Sequence, residues 1–130
     1  MLDHCARHGL EFEKIVIISI PAVEVATLFQ NFIEMFGLPI EKYADLMIER
    51  ASERFDARPG SFDPIIVSEG LTSKVMIVHC KNDVDAEANE SIQLSQAIEG
   101  SELVLTSGLG HRRILRDEGV IRQIVDFLKS

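Results

Sequence analysis

The chain has 130 residues, of which 46% are hydrophobic and 26% charged, the composition of one ordinary globular domain, which excludes disorder and fibrous repeats. That length buries roughly two-thirds of the surface exposed when unfolded, enough for one core without disulfides or metals but too little for two full domains. Thirteen Lys and Arg against 21 Asp and Glu give a net charge of −8, which argues for solubility and against nucleic acid as a partner, since phosphate binding needs clustered positive charge.

Met1-Leu2-Asp3-His4-Cys5 lacks the basic and apolar regions of a signal peptide, and no apolar run approaches a membrane span, so a cytoplasmic protein without a membrane partner is expected. Ile15-Val16-Ile17-Ile18 has the character of a fully buried strand, being a compact β-branched block without polar alternation. Ala22, Val25, Ala26, Phe29, Phe32, Ile33 and Phe36 recur at three and four residues and predict a helix that Gly37 stops. A second helix follows, with Pro39 suited to its first turn and Ile40, Tyr43, Ala44, Met47, Ile48, Ala51 and Phe55 as its stripe, until Arg58-Pro59-Gly60 breaks it. The two make a helical hairpin. Pro59 to Thr72 is the longest irregular stretch, after which Val75-Met76-Ile77-Val78 predicts the second strand. Ala88, Ile92, Ser95 and Ile98 mark a helix ended by Gly100, Leu103-Val104-Leu105 the third strand, and Val120, Ile121, Ile124, Val125 and Leu128 a last helix capped by Asp117.

Strands alternating with helices imply parallel pairing with right-handed crossovers, hence an α/β layered sheet. Such a sheet of about three strands leaves unpaired backbone at its edges, and the first strand is as apolar as the others, which is odd for an outer strand, usually blunted with Lys, Pro or a bulge. It reads like an interior strand without its neighbour. Cys5 and Cys80 are too few for a disulfide scaffold and too far apart for a metal knuckle, in keeping with a reducing compartment.

In open α/β sheets the functional groups gather just beyond the carboxyl ends of the strands. His79-Cys80-Lys81-Asn82-Asp83-Val84-Asp85 follows the second strand and Gly108-Leu109-Gly110-His111-Arg112-Arg113 follows the third. If those strands are adjacent, Asp83 can pair with His111, fixing the imidazole tautomer and stabilising the imidazolium as a general base requires. The plainer alternatives are a hydrogen-bonded loop histidine and a turn aspartate, with Asp85 competing for either role. Gly108 and Gly110 favour the tight backbone that presents a side chain at a strand end.

With these residues in view, the last 57 residues resemble the C-terminal portion of an α/β-hydrolase. They offer a strand Lys74 to His79, the acid position Asp83, a helix, a strand Glu102 to Thr106, then Gly108-Leu109-Gly110-His111 and a closing helix. The triad order of that family is nucleophile, acid, histidine. Lys14 to Pro21 resembles the strand after the nucleophile-bearing unit, and residues 22–58 the small helical cap that many members carry. The resemblance therefore implies a single domain over 1–130, a partial α/β-hydrolase fold with a helical hairpin cap, and catalytic roles for His111 and Asp83. It implies an acyl-transfer reaction on an ester, thioester or amide, with no cofactor and no metal. Phe29, Phe32, Phe36 and Tyr43 could line a substrate pocket, although such stripes also serve as plain core.

Three departures stand against the family pattern. Cys80 occupies a common Gly position, Ala86-Glu87 replace a Val-Pro pair, and no Gly-x-Ser-x-Gly occurs in the chain. Without the serine and the oxyanion-hole donors, the chain alone is expected to be inactive by the triad route. Cys80 as a substitute nucleophile, or His79, Asp83, Asp85 and His111 as a metal set, are alternatives by residue type. Arg112 and Arg113 could contact an acidic substrate or partner, but such arginines are more often surface residues pairing with nearby carboxylates, here Asp117 or Glu118. The competing reading is a non-catalytic module that associates through its sheet edge, as a homodimer or with an N-terminal half. A small acyl substrate enters only if that half supplies the nucleophile.

Overall fold

β-Branched side chains favour extended backbone, and the three apolar blocks, the first two rich in them, form the strands of one parallel sheet in a computed structural model that describes residues 11–21, 25–55, 68 and 71–130. In chain order the elements are β1 (Lys14–Ile18), α1 (Val25–Met35), α2 (Ile40–Phe55), β2 (Lys74–Cys80), α3 (Ala88–Ala97), β3 (Glu102–Thr106), the single-turn α4 (Gly110–Arg113) running into a 3-10 turn (Ile114–Arg116), and α5 (Glu118–Lys129). The chain divides into two compact units, Met1–Ala22 with Ser68–Ser130, and Val23–Val67. Ala22, Arg58-Pro59-Gly60, most of the irregular stretch from Pro59 and the N-terminal residues with Cys5 lie outside the described residues.

In the first unit the order is β1-β2-β3, with Ile17 opposite Ile77 and Ile77 opposite Leu103. Only β2 is buried along almost its whole length, from Val75 to Cys80. The expectation of three fully buried strands is corrected here: among the described residues β1 and β3 each have one neighbour, and both are half-buried, Ile17 being the one buried residue of β1. Met76, Val78 and Cys80 point to one face and join Ile114, Val120 and Phe127 in an apolar core, against which Val16, Ile18, Val104, Leu109 and Ile124 pack. By strand alternation Val75, Ile77 and His79 point to the other face. There α3 packs on β2 and buries Ser91 and Leu94, and Ile98 just past its end is buried as well. The buried stripe of α3 is thus rotated from the predicted Ile92 and Ser95. In α5 the core contact narrows to Val120, Ile124 and Phe127, leaving Ile121, Val125 and Leu128 exposed.

The start of α5 follows its sequence signal, whereas α3 ends at Ala97 with Ile98 as its C-cap, ahead of the expected stop at Gly100. The Asp117 carboxylate accepts from the Val120 N–H at 3.0 Å and caps α5. At the opposite end of that helix, Lys14 Nζ donates to the carbonyls of Phe127 (2.9 Å) and Leu128 (3.3 Å), placing a cation on the negative end of the helix and tying it to the start of β1.

The second unit holds α1 and α2. Gly37, at φ 62°, closes α1 with Gly37 N–H donating to the Glu34 carbonyl and Leu38 N–H to that of Ile33, a Schellman ending. Pro39 stands just before α2, where Lys42 N–H donates to its carbonyl. Ile33 is fully buried, while Met35, Phe36 and Phe32 are exposed, the two phenylalanine rings lying 4.7 Å apart. Among the described residues no helix is long and apolar enough to cross a membrane.

Candidate functional site

The site is assembled from the turns that leave β2 and β3. Because these strands are adjacent and parallel, both turns emerge at the same edge of the sheet. Backbone and side-chain bonds clasp them together. Lys81 N–H donates to the Thr106 carbonyl (2.9 Å), Gly108 N–H to Asn82 Oδ1 (3.1 Å) and Gly110 N–H to Cys80 Sγ (3.0 Å). Gly108 and Gly110 sit at φ 76° and 66°, where a Cβ-bearing residue is strained. Arg113 closes the second turn from outside by donating to the carbonyls of Gly108 and Leu109. That corrects its expected pairing with Asp117 or Glu118: the carbonyls left free by the glycine turn lie within its reach, and Asp117 is engaged as a helix cap.

Asp83 and His111 meet in this clasp, with His111 Nδ1 2.9 Å from Asp83 Oδ2. The Asp83 side chain has no exposed surface, whereas that of His111 is 35% exposed. The two carboxylate oxygens divide their work. Oδ1 accepts from the N–H of Asp85 (2.9 Å) and of Ala86 (3.2 Å), an Asx turn that fixes the side chain, and Oδ2 is left for the imidazole. Burial acts to raise the Asp83 carboxyl, but the Asp85 N–H, the His111 ring and the Ala86 N–H outweigh it and hold the group below its ordinary value of 3.8. An ionised carboxylate can only accept, so Nδ1 of His111 carries the proton and Nε2 is the nitrogen with a free lone pair.

The remaining candidates are placed as follows. Asp85 is exposed, and its part in the turn is played by its backbone. Ligand atoms of Asp83, Asp85 and His111 lie within 4.8 Å of one another, yet both oxygens of Asp83 are engaged in hydrogen bonds, and the group is organised as a hydrogen-bonded pair on a turn. Cys80 is fully buried in the apolar core. Burial acts to raise its thiol, and the N–H groups of Asn82, Gly110 and Leu109 with the Thr106 hydroxyl outweigh that and hold it below its ordinary value. Its sulfur anchors the Gly110 turn and faces no solvent. Phe29 and Tyr43 are half-buried and Phe32 and Phe36 exposed within the hairpin unit.

One residue at the site had no role in the sequence reading beyond a metal set. His79 is fully buried at the end of β2, with Nδ1 2.6 Å from Ser91 Oγ and Nε2 3.1 Å from the Ala86 carbonyl and 3.6 Å from Asp83 Oδ2. The signal that could have found it is a histidine closing an apolar strand four residues before the acid.

Two solved structures share this arrangement of strands and helices. One is Rv0554 from Mycobacterium tuberculosis, 13% identical at a TM-score of 0.65, with 98% of this chain and 60% of that chain covered. The other is MGS-MChE2, an alpha/beta hydrolase enzyme from the metagenome of sediments from the lagoon of Mar Chica, Morocco, 13% identical at a TM-score of 0.50, with 98% of this chain and 65% of that one covered. The fold is that of part of an α/β-hydrolase. At 13% identity the likeness concerns the α/β-hydrolase fold alone, and the chain spans 60 to 65% of the length of these two structures. No family model and no curated protein sequence matches the chain.

Proposed function

We propose that Asp83 and His111 are the acid and the general base of an acyl-transfer site of α/β-hydrolase type, acting on an ester, thioester or amide. The observation that supports the reading is the 2.9 Å contact between His111 Nδ1 and Asp83 Oδ2 at the carboxyl ends of two adjacent parallel strands. With Nδ1 committed to the carboxylate, Nε2 takes the proton of a nucleophile and returns it to the leaving group, while Asp83 stabilises the imidazolium. The nucleophile and the oxyanion donors come from a strand, a Gly-x-Ser-x-Gly elbow and a helix that are not among these 130 residues. In this reading residues 22–58 serve as a cap, with Phe29, Phe32, Phe36 and Tyr43 as its acyl-facing side chains, and 1–130 form one domain of the cytoplasmic enzyme.

The purified chain should neither turn over p-nitrophenyl acetate nor take up a fluorophosphonate probe on any serine. Turnover by the chain that His111→Ala abolishes, or a labelled serine, would overturn the prediction of inactivity. Joined to an α/β-hydrolase segment that carries the elbow, the chain should support ester hydrolysis that His111→Ala lowers by about four to six orders of magnitude. A joined protein that folds and hydrolyses equally well with His111→Ala removes the assignment.

The position of β1 favours a second reading. It is the outer strand of the sheet among the described residues, and beyond Lys14 at its start the run Ile15-Val16-Ile17-Ile18 carries no Lys or Pro. In that reading the chain pairs through β1 with a second copy or with an N-terminal half. A stable monomer by light scattering at micromolar concentration rules out the homodimer.

A further inference from the structure

An apolar side chain would suffice to fill the space between β2 and α3, as Ile77 and Leu94 do one step away. The chain instead buries an imidazole there with both nitrogens engaged. The Ala86 carbonyl can only accept, so His79 Nε2 carries a proton, and the Ser91 hydroxyl meets Nδ1 at 2.6 Å. Ala86 also donates its own N–H, on the preceding peptide group, to Asp83 Oδ1 at 3.2 Å. It is therefore held on its oxygen side by His79 and on its nitrogen side by the acid. His79 Nε2 also lies 3.6 Å from Asp83 Oδ2, too far for a hydrogen bond but close enough for its N–H dipole to favour the carboxylate where it stands. Oδ2 thus faces two imidazoles, a fully buried one and a half-exposed one at 2.9 Å.

We infer that His79, held by Ser91, is a positioning residue: it fixes the Asp83 turn and carboxylate so that Oδ2 is presented to His111. This rests on the reading of Asp83 and His111 as a working pair. A residue that merely filled the core would change stability alone when replaced. A positioning residue also changes the state of a ring it does not touch. Without the His79 N–H, the Ala86 carbonyl loses its partner, the Asx turn loosens and the carboxylate is free to rotate away from Nδ1. His111 should then lose its fixed tautomer, because the partner of one ring nitrogen decides which nitrogen carries the proton.

The test is long-range proton–nitrogen NMR of the imidazole rings in the full chain, at mildly alkaline pH where imidazoles are neutral. In the unmodified chain His111 should be in the Nδ1–H form. Asp83→Asn should abolish that preference. His79→Leu, in a chain that keeps its amide dispersion, should move His111 part of the way toward the Nε2–H form, and Ser91→Ala should do so to a smaller extent. His79→Gln, whose amide N–H can still reach the Ala86 carbonyl, should restore the original form. A folded His79→Leu chain with the His111 tautomer unchanged overturns the positioning role and leaves the pair intact. An unchanged tautomer in Asp83→Asn removes the pair itself. Should His79→Leu fail to fold, Ser91→Ala decides, and an unaltered His111 there counts against the proposal.

Discussion

The two faces of the sheet are built from different chemistry. Toward α5, Met76, Val78 and Cys80 meet Ile114, Val120 and Phe127, and the contact is apolar throughout apart from the Cys80 sulfur, which accepts one N–H. Toward α3, the alternate residues of the same strand end in His79, which meets Ser91 and leads to the acid of the candidate site. One strand therefore serves stability on one side and the placing of a charge on the other, because neighbouring residues of a strand face opposite ways. Burying polar atoms is favourable only when each has a partner. Here His79 has two, so the polar face is specific without being expensive.

This contrast can be broken most directly from the apolar side. Phe127 is 5% exposed in that core, and Phe127→Ala should cost about 3 to 4 kcal/mol in urea unfolding through lost burial and a residual cavity. A cost below about 1 kcal/mol would mean that the α5 face is not the main apolar anchor. On the polar face Ser91→Ala removes one hydroxyl and leaves His79 Nδ1 without its partner, which should cost about 1 to 2 kcal/mol. A neutral result would show that the network on this face is slack. Asp117→Ala, which removes the side-chain cap of α5, should cost about 1 kcal/mol and leave the His111 ring unchanged.

How far these features could be read from sequence depends on how local their causes are. The Gly37 stop, the Asp117 cap and the three apolar blocks are set by neighbours a few residues away, and each is found where expected. The Asp83–His111 contact spans 28 residues, yet two adjacent parallel strands bring their ends together, and that much follows from the βαβ pattern. Whether a strand is central or outer depends on pairing order, which no residue in the strand encodes, so β1 and β3 were expected to be more buried than they are. The Ser91 partner of His79 sits on a helix face whose rotation is decided by packing, one residue away from the predicted stripe. Lys14 reaches carbonyls 113 and 114 residues ahead, a contact that only the finished fold defines.

The last test sharpens the comparison through pH, because the polar face ends in a carboxylate whose value is displaced. Asp83 is held below 3.8 in the folded chain, so the folded state favours its ionised form more than the unfolded chain does. The stabilisation this provides is present in full above the ordinary aspartate range. It is lost as the pH falls through that range toward the lower folded value, since protonation removes the charge that the Asp85 and Ala86 N–H groups and the His111 ring hold. Urea unfolding followed from neutral to acid pH should therefore show a steeper acid loss for the unmodified chain than for Asp83→Asn, which has no proton to gain at this position. Phe127→Ala should lower the whole profile without changing its slope, since it replaces no group that titrates in the acid range. Parallel acid limbs for the unmodified and Asp83→Asn chains would show that the polar face contributes no linkage, and that its hydrogen bonds hold the turn equally well whether or not the acid is charged.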